Sequence, residues 1–289
     1  MMRDDFAVFI LTHGRADNVK TLKTLKRAGY TGKWYMVIDN EDDQEPQYRK
    51  NFGDDRVIVF DKLEMSKRFD TADTSDDRRT IVYARNACFD IAEKVGVKYF
   101  LEFDDDYTSI EHRYIEGDKF KYKRIADFDR VCCMMIDFLD QSKALTVAFA
   151  QGGDFIGGAK SSRFKEGILR KAMNSFFCTT DRRFDFVGRI NEDVNTYTVL
   201  GQRGEKIFGI TDIDIVQTQT QFGNGGMTGV YLDGGTYLKS FYTIMFSPSC
   251  VKISVMGDKH MRIHHKVQWN FCCPKILGEK WQKRRSGGS

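Results

Sequence analysis

The sequence predicts an α/β fold with a mostly parallel central sheet flanked by helices. Three observations carry this. Short apolar runs of strand length alternate with helix-period segments through the first third of the chain, the runs are apolar at successive positions, and polar clusters follow them directly. Strands buried on both faces read as continuous apolar runs, and repeated β-α-β implies parallel pairing with helices on both sides.

The elements follow in order. Phe6–Leu11 (FAVFIL) is the first strand. Ala16–Ala28 places Val19, Leu22 and Leu25 on one helical face and stops at Gly29. Trp34–Ile38 and Arg56–Phe60 are the next strands. Thr80–Lys94 is a helix closed by Gly96, and Lys98–Phe103 is a strand that runs into Asp104. The period of 3.6 against 2 separates these assignments. Further on, Ala126–Leu139 reads as a helix, and Leu145–Ala150 and Lys206–Gln217 as strands. Arg189–Leu200 reads as a loop entering a helix with Asn191 at its N-cap. The rest of the second half, with its glycine pairs Gly152-Gly153, Gly157-Gly158 and Gly225-Gly226, shows little periodicity. The expected organisation is one domain: a ligand-binding half over 1–110, a divergent half over 111–285, and a tail or tag remnant at 286–289.

Composition narrows the class. Apolar residues are 41% of 289, enough for a packed core, and 3 prolines without biased tracts leave no disordered linker. No apolar run is long enough to span a bilayer, so no membrane partner is expected, and MMRDDFAVFIL is too short and acidic for a signal peptide. The 7 cysteines are odd in number and form no CxxC. That pattern predicts reduced thiols and a cytoplasmic location rather than a disulfide framework or zinc site. Net charge is +4, but from Lys259 onward eight Lys/Arg stand against Glu279 alone. Lys283, Arg284 and Arg285 end that run and are candidate nucleic-acid contacts, against the plainer reading of a solvated tail.

The sharpest chemical signal is Asp104-Asp105-Asp106 at the end of an apolar strand. In an open parallel sheet that edge is where ligands sit. Three adjacent acids repel one another, and an oxygen-only donor set suits a hard divalent ion, Mn²⁺ or Mg²⁺, which can also hold a diphosphate. Thr12-His13-Gly14-Arg15 and Asp39-Asn40 fall at the same edge. Glu192 and Asp193, at a predicted helix start, are candidates for a general base, and the helix dipole is expected to keep them ionised. No GxxxxGK[ST] and no strand-linked GxGxxG is present.

The run YARNACFDIAEKVGVKYFLEFDDDY (Tyr83–Tyr107) resembles GT-A glycosyltransferases of the family 2 type, in which an Ala-Arg-Asn helix leads into an apolar strand and an Asp-x-Asp. ILTHGRADN (Ile10–Asn18), Asp39 and Asn191-Glu192-Asp193 resemble other elements of that family, in order, across roughly residues 6–200. The resemblance implies a GT-A (Rossmann-like) fold and metal-dependent transfer from a nucleotide-diphosphate sugar, UDP-sugar favoured. It implies that Thr12, His13, Arg15 and Asp39 cradle the nucleoside and that Arg85 sits near the base or diphosphate. Asp104 would contact ribose or metal, Asp106 would be the firmest metal ligand, and Asp105 remains an alternative. Asp193, ahead of Glu192, would be the base of an inverting reaction. One of His264 and His265 would close the metal shell, since their rings should point oppositely in an extended segment.

Phe186–Ile210 and the GGMTGVY stretch resemble the TET/JBP-associated glycosyltransferases known largely from tailed bacteriophages. That resemblance implies DNA as acceptor through 5-hydroxymethylated pyrimidines such as hydroxymethylcytosine. The competing readings are a sugar nucleotidyltransferase, disfavoured by the single glycine in THGRAD, and a catalytically silent nucleic-acid-binding protein with the same fold.

Overall fold

The computed structural model describes residues 2–161, 164–165, 167–217, 237–256 and 261–272. The strands are β1 (Phe6–Leu11), β2 (Lys33–Asp39), β3 (Val57–Phe60), β4 (Tyr99–Asp104), β5 (Tyr107–Glu116), β6 (Lys119–Arg124), β7 (Thr146–Gln151), β8 (Ile168–Leu169), β9 (Ser175–Thr179), β10 (Ile207–Gln217), β11 (Val251–Met256) and β12 (Arg262–Val267). The helices are α1 (Thr21–Arg27), α2 (Glu45–Phe52), α3 (Lys62–Ser66), α4 (Val82–Lys94), α5 (Phe128–Ser142), α6 (Glu192–Gln202), α7 (Leu238–Phe246) and α8 (Trp269–Cys272).

Ten strands form one sheet in the order β3-β2-β1-β4-β9-β7-β10-β5-β6, with β8 also on β10. β1 to β4 pair in parallel, and β7 and β10 run the same way; β5, β8 and β9 oppose them. The sheet is therefore mostly parallel, as the sequence predicts, and β5 crosses the expected boundary at residue 110 without a break.

Alternation along each buried strand feeds both faces. Phe6, Val8 and Ile10 of β1 pack with Leu22, Leu25, Tyr48 and Phe128, from α1, α2 and α5. Ala7, Phe9 and Leu11 pack with Met65, Cys88, Phe89 and Val194, from α3, α4 and α6. The same alternation splits β4. Tyr99, Leu101 and Phe103 face the first layer and Phe100 the second. Glu102 and Asp104 share the face of Phe100 by the period of two.

Some expected boundaries shift. The first helix begins at Thr21, not Ala16. The hairpin β5–β6, strand β9 and helix α2 are elements the sequence reading did not contain. Cys250 and Cys272 form a disulfide, which corrects the expectation of reduced thiols throughout. The physical reason is topological: pairing of Val251 with Val267 across β11–β12 returns the chain beside Cys250, and α8 then delivers Cys272. Cys88, Cys132, Cys133 and Cys178 are free. Among the described residues no helix is long and apolar enough to cross a membrane. Lys283, Arg284, Arg285, Gly225-Gly226 and 286–289 lie outside the described residues.

Candidate active site

The acid triplet is divided by its own backbone. Leu11 of β1 pairs with Asp104 of β4, so Thr12 and Asp105 are the next residues of neighbouring parallel strands. The Thr12 hydroxyl donates to Asp105 at 2.7 Å and lies 2.8 Å from the Tyr48 hydroxyl. Arg15 donates to the other Asp105 oxygen at 2.8 Å, and its own N–H donates to Tyr48. Asp105 is buried and both its carboxylate oxygens are engaged. Its carbonyl accepts the N–H groups of Lys20 and Thr21, which fixes the turn against the start of α1. Thr12 therefore acts on this site through Asp105.

Asp104 and Asp106 remain less enclosed on either side of Asp105. Burial pushes Asp104 up to about 7, against the pull of Arg85 and with Asp106 adding repulsion. Burial and Asp105 push Asp106 up to about 6. Two crowded carboxylates that resist ionisation are what a dication relieves.

Arg85, on α4, is 1% exposed. Its Nη2 reaches Asp104 at 3.0 Å, its Nε reaches Glu192 at 3.0 Å, and its Nη1 stands 3.6 Å from Glu102. The guanidinium lies over the Phe176 ring, 4.7 Å from its centroid. Burial opposes the charge, but Asp104, Glu192 and Glu102 together hold it well above the ordinary arginine value. Arg85 thus ties the acid pair to the start of α6 and is closed off from solvent. Glu102 is a site residue the sequence reading missed. It is 0% exposed, and burial lifts it to about 8 despite Arg85.

At the start of α6, Glu192 is held by Arg85, whereas Asp193 accepts only the N–H of Val194, at 2.7 Å, among the hydrogen bonds of the described residues. Burial and then Glu192 push Asp193 up to about 7. Both act against the ionisation that the helix N-terminus was expected to favour. Asn191 occupies the cap position in a left-handed backbone (φ 62°), and its side chain donates to Thr243 instead of capping. Asp70, Thr71 and Asp73 anchor the approach to this helix: Gly188 and Arg189 donate backbone N–H to Asp70 and Thr71, and the Arg189 guanidinium holds Asp73 at 2.9 Å.

The third cluster lies past β1 and β2. His13 Nδ1 is 2.8 Å from Asp39, and Lys62 is 3.1 Å from the same oxygen. Burial raises Asp39, but His13 and Lys62 outweigh it and lower it overall. The hydrogen bond to Asp39 raises His13, whose ring is half-exposed. Asp42 accepts the Gly14 N–H at 2.8 Å. Lys62, Tyr48 and Asp42 are further residues that the sequence reading did not single out.

His264 and His265 lie on β12, and their ring centroids are 4.2 Å apart, which corrects the expectation that they diverge. Burial and His264 press His265 down to about 3. Among the described residues no three or more His, Cys, Asp or Glu side chains gather as a metal cluster. Trp269 stacks on Tyr197 at 5.5 Å, a packing role.

Residues 6–226 match the family described as TET-Associated Glycosyltransferase. Among solved structures, the chain is similar to glucosyl-3-phosphoglycerate synthase from Mycobacterium tuberculosis in complex with Mn²⁺ and UDP-glucose. That match has 9% identity, covers 91% of this chain and 86% of that one, and has a TM-score of 0.46. A mycobacterial protein matches at 9% identity, 91% and 83% coverage and a TM-score of 0.45. No curated protein matches.

Proposed function

The chain belongs to the TET-associated glycosyltransferase family, and from that premise we propose that it transfers a sugar from a UDP-sugar to the hydroxymethyl group of a modified pyrimidine in DNA, with a divalent cation at Asp104 and Asp106. The observation that carries the reading is the division of the acid triplet: Asp105 is consumed by Thr12 and Arg15, and Asp104 and Asp106 are left crowded and hard to ionise.

The donor set fits Mn²⁺ or Mg²⁺. Such ions are commonly held by one or two carboxylates plus substrate phosphate oxygens and water, not by a full protein cage. Bound there, the ion would offset the charge that builds on the departing diphosphate. The chain's own residues do the rest. Arg85 holds Asp104 in register with α6. His13, oriented by Asp39, offers a ring N–H to a base carbonyl. Asp193, without an ion-pair partner among the described residues, takes the proton of the acceptor hydroxyl, and attack from that side inverts the anomeric carbon. The DNA acceptor rests on the resemblance of Phe186–Ile210 and on the basic stretch of sequence from Lys259 to Arg285.

Asp106→Asn should abolish Mn²⁺-dependent donor binding in calorimetry while the melting temperature holds. Unchanged donor affinity would exclude Asp106 as a ligand. Among nucleoside diphosphates with Mn²⁺, UDP should give the largest thermal shift; a larger shift with GDP would overturn the uridine assignment. Transfer itself is tested by incubating the chain with Mn²⁺, nucleotide sugars and hydroxymethylated DNA and measuring released diphosphate.

A further inference from the structure

β6 is the edge strand of the sheet and pairs with β5 alone. It reads Lys-Phe-Lys-Tyr-Lys-Arg from 119 to 124. Strand alternation puts Lys119, Lys121 and Lys123 on one face, and the register sets them opposite Glu116, Tyr114 and His112. All six are exposed. The opposite face is anchored. Phe120 packs edge-on against Phe155 and Phe164, with centroids 5.4 and 4.7 Å away, and Arg113 lies over Tyr122 and Phe155.

The lysine face continues onto α1. Ile110 packs in the same core layer as Leu22 and Leu25, and the Arg27 guanidinium donates to the Thr108 carbonyl at 2.7 Å. Lys23, Lys26 and Arg27 are exposed on that helix. Its other end begins at the acid triplet, through the N–H groups of Lys20 and Thr21 on the Asp105 carbonyl. Positive charge therefore runs from the candidate active site along α1 to the hairpin. Lys121 has Glu116 at 3.6 Å. Among the described residues no carboxylate lies within ion-pair distance of Lys23, Lys26, Lys119 or Lys123.

We propose that this face of the β5–β6 hairpin, with α1, is the surface that holds the phosphate backbone of the acceptor DNA. The proposal rests on the DNA-acceptor reading and gives it a location within the described fold. Charge complementarity identifies the partner. Lysines at alternate positions repeat about every 7 Å along a strand, about twice the axial rise per phosphate of one DNA strand. His112 and Tyr114, stacked at 5.6 Å with planes 16° apart, sit among the lysines as an aromatic platform of the kind that receives an unstacked base. Lysines on an edge strand also discourage sheet-to-sheet pairing. That role would not explain the continuation onto α1 or the exposed His112–Tyr114 stack.

The test is binding of the full chain to a labelled hydroxymethylated duplex across a salt series, for the parent and for the combined Lys119→Gln, Lys121→Gln and Lys123→Gln variant. The variant should bind at least about tenfold more weakly at 0.1 M salt, and its slope of log affinity against log salt should be shallower by about 2 to 3. UDP and Mn²⁺ thermal shifts should match the parent. If the parent binds and glycosylates DNA but the variant keeps its affinity and slope, the hairpin assignment is wrong and the acceptor reading stands. Self-association of the variant with unchanged DNA affinity would assign the lysines to edge protection and overturn the proposal. A parent that binds no DNA even at low salt, and passes sugar only to another acceptor, overturns both.

Discussion

Asp193→Asn is expected to lower turnover by a factor of about 10² to 10⁴, the usual contribution of a positioned general base, with donor affinity nearly unchanged. Glu192 cannot readily substitute, because its carboxylate is tied to Arg85 at 3.0 Å. Asp193 accepts one backbone N–H and carries a value near 7, where a base is most effective. The sign follows from the direction of the shift. A carboxyl with a raised value stays protonated at low pH, so the rate should climb as pH rises through about 7, and the Asn variant should lose that climb. Stability moves the other way. The folded chain binds this proton more tightly than the unfolded chain, so ionising Asp193 costs stability between about pH 4 and the folded value. Asp193→Asn should then melt no lower than the parent at pH 8, which separates lost chemistry from lost fold. Full activity in the variant would move the base to Glu192, or indicate a reaction that retains configuration.

The strands of the first half were legible because burial on both faces writes itself into sequence. Phe6–Leu11 supplies both core layers from one run, and the expected strand coincides with β1. The hairpin β5–β6 escaped because β6 is exposed at every position but Phe120 and so carries no apolar run. Its signal was turn chemistry: Gly117-Asp118, with Gly117 at φ 63°, between two runs rich in aromatic residues. β9 escaped for another reason. It is a short, fully buried strand inserted antiparallel between β4 and β7, and pairing order is a long-range property that local periodicity does not encode.

The candidate site was legible as residue types at a sheet edge and much less as partnerships. The period of two alone separates the members of the triplet. Tyr99, Leu101 and Phe103 face one layer, so Asp105 continues toward that side and toward Thr12, while Asp104 shares a face with Glu102. Glu102 itself was visible as the lone acid inside an apolar strand. What the sequence could not supply was Arg85 reaching Glu192 across 107 positions, or the burial that raises Asp193. Both depend on how deeply α4 and α6 are packed.

Arg85→Met is expected to destabilise the chain by about 3 to 5 kcal/mol, the cost of leaving buried carboxylates without their cation. The three carboxylates around Arg85 are not equivalent. Glu102, pushed up to about 8, resists ionisation most and lies 3.6 Å from the guanidinium, so Glu102→Gln should be nearly neutral. Glu192 and Asp104 each accept a direct hydrogen bond at 3.0 Å and bear the loss. Arg85→Lys keeps the charge but not the fork, and one ammonium cannot reproduce both bonds; its melting temperature should fall between the other two. Because the guanidinium is buried, Arg85 acts on catalysis by position. Arg85→Lys should reduce turnover, and Arg85→Met should also shift the pH profile upward, since only there does Asp193 lose the positive field that now restrains its value. The deficit of Arg85→Met should shrink in denaturation experiments as pH falls, because Asp104, already pushed up to about 7, can then take up a proton in place of its lost partner. An Arg85→Met variant no less stable than Glu102→Gln at pH 7 would mean that the acids around Arg85 are already neutral or hydrated, and that the cation does not hold the start of α6 to the end of β4.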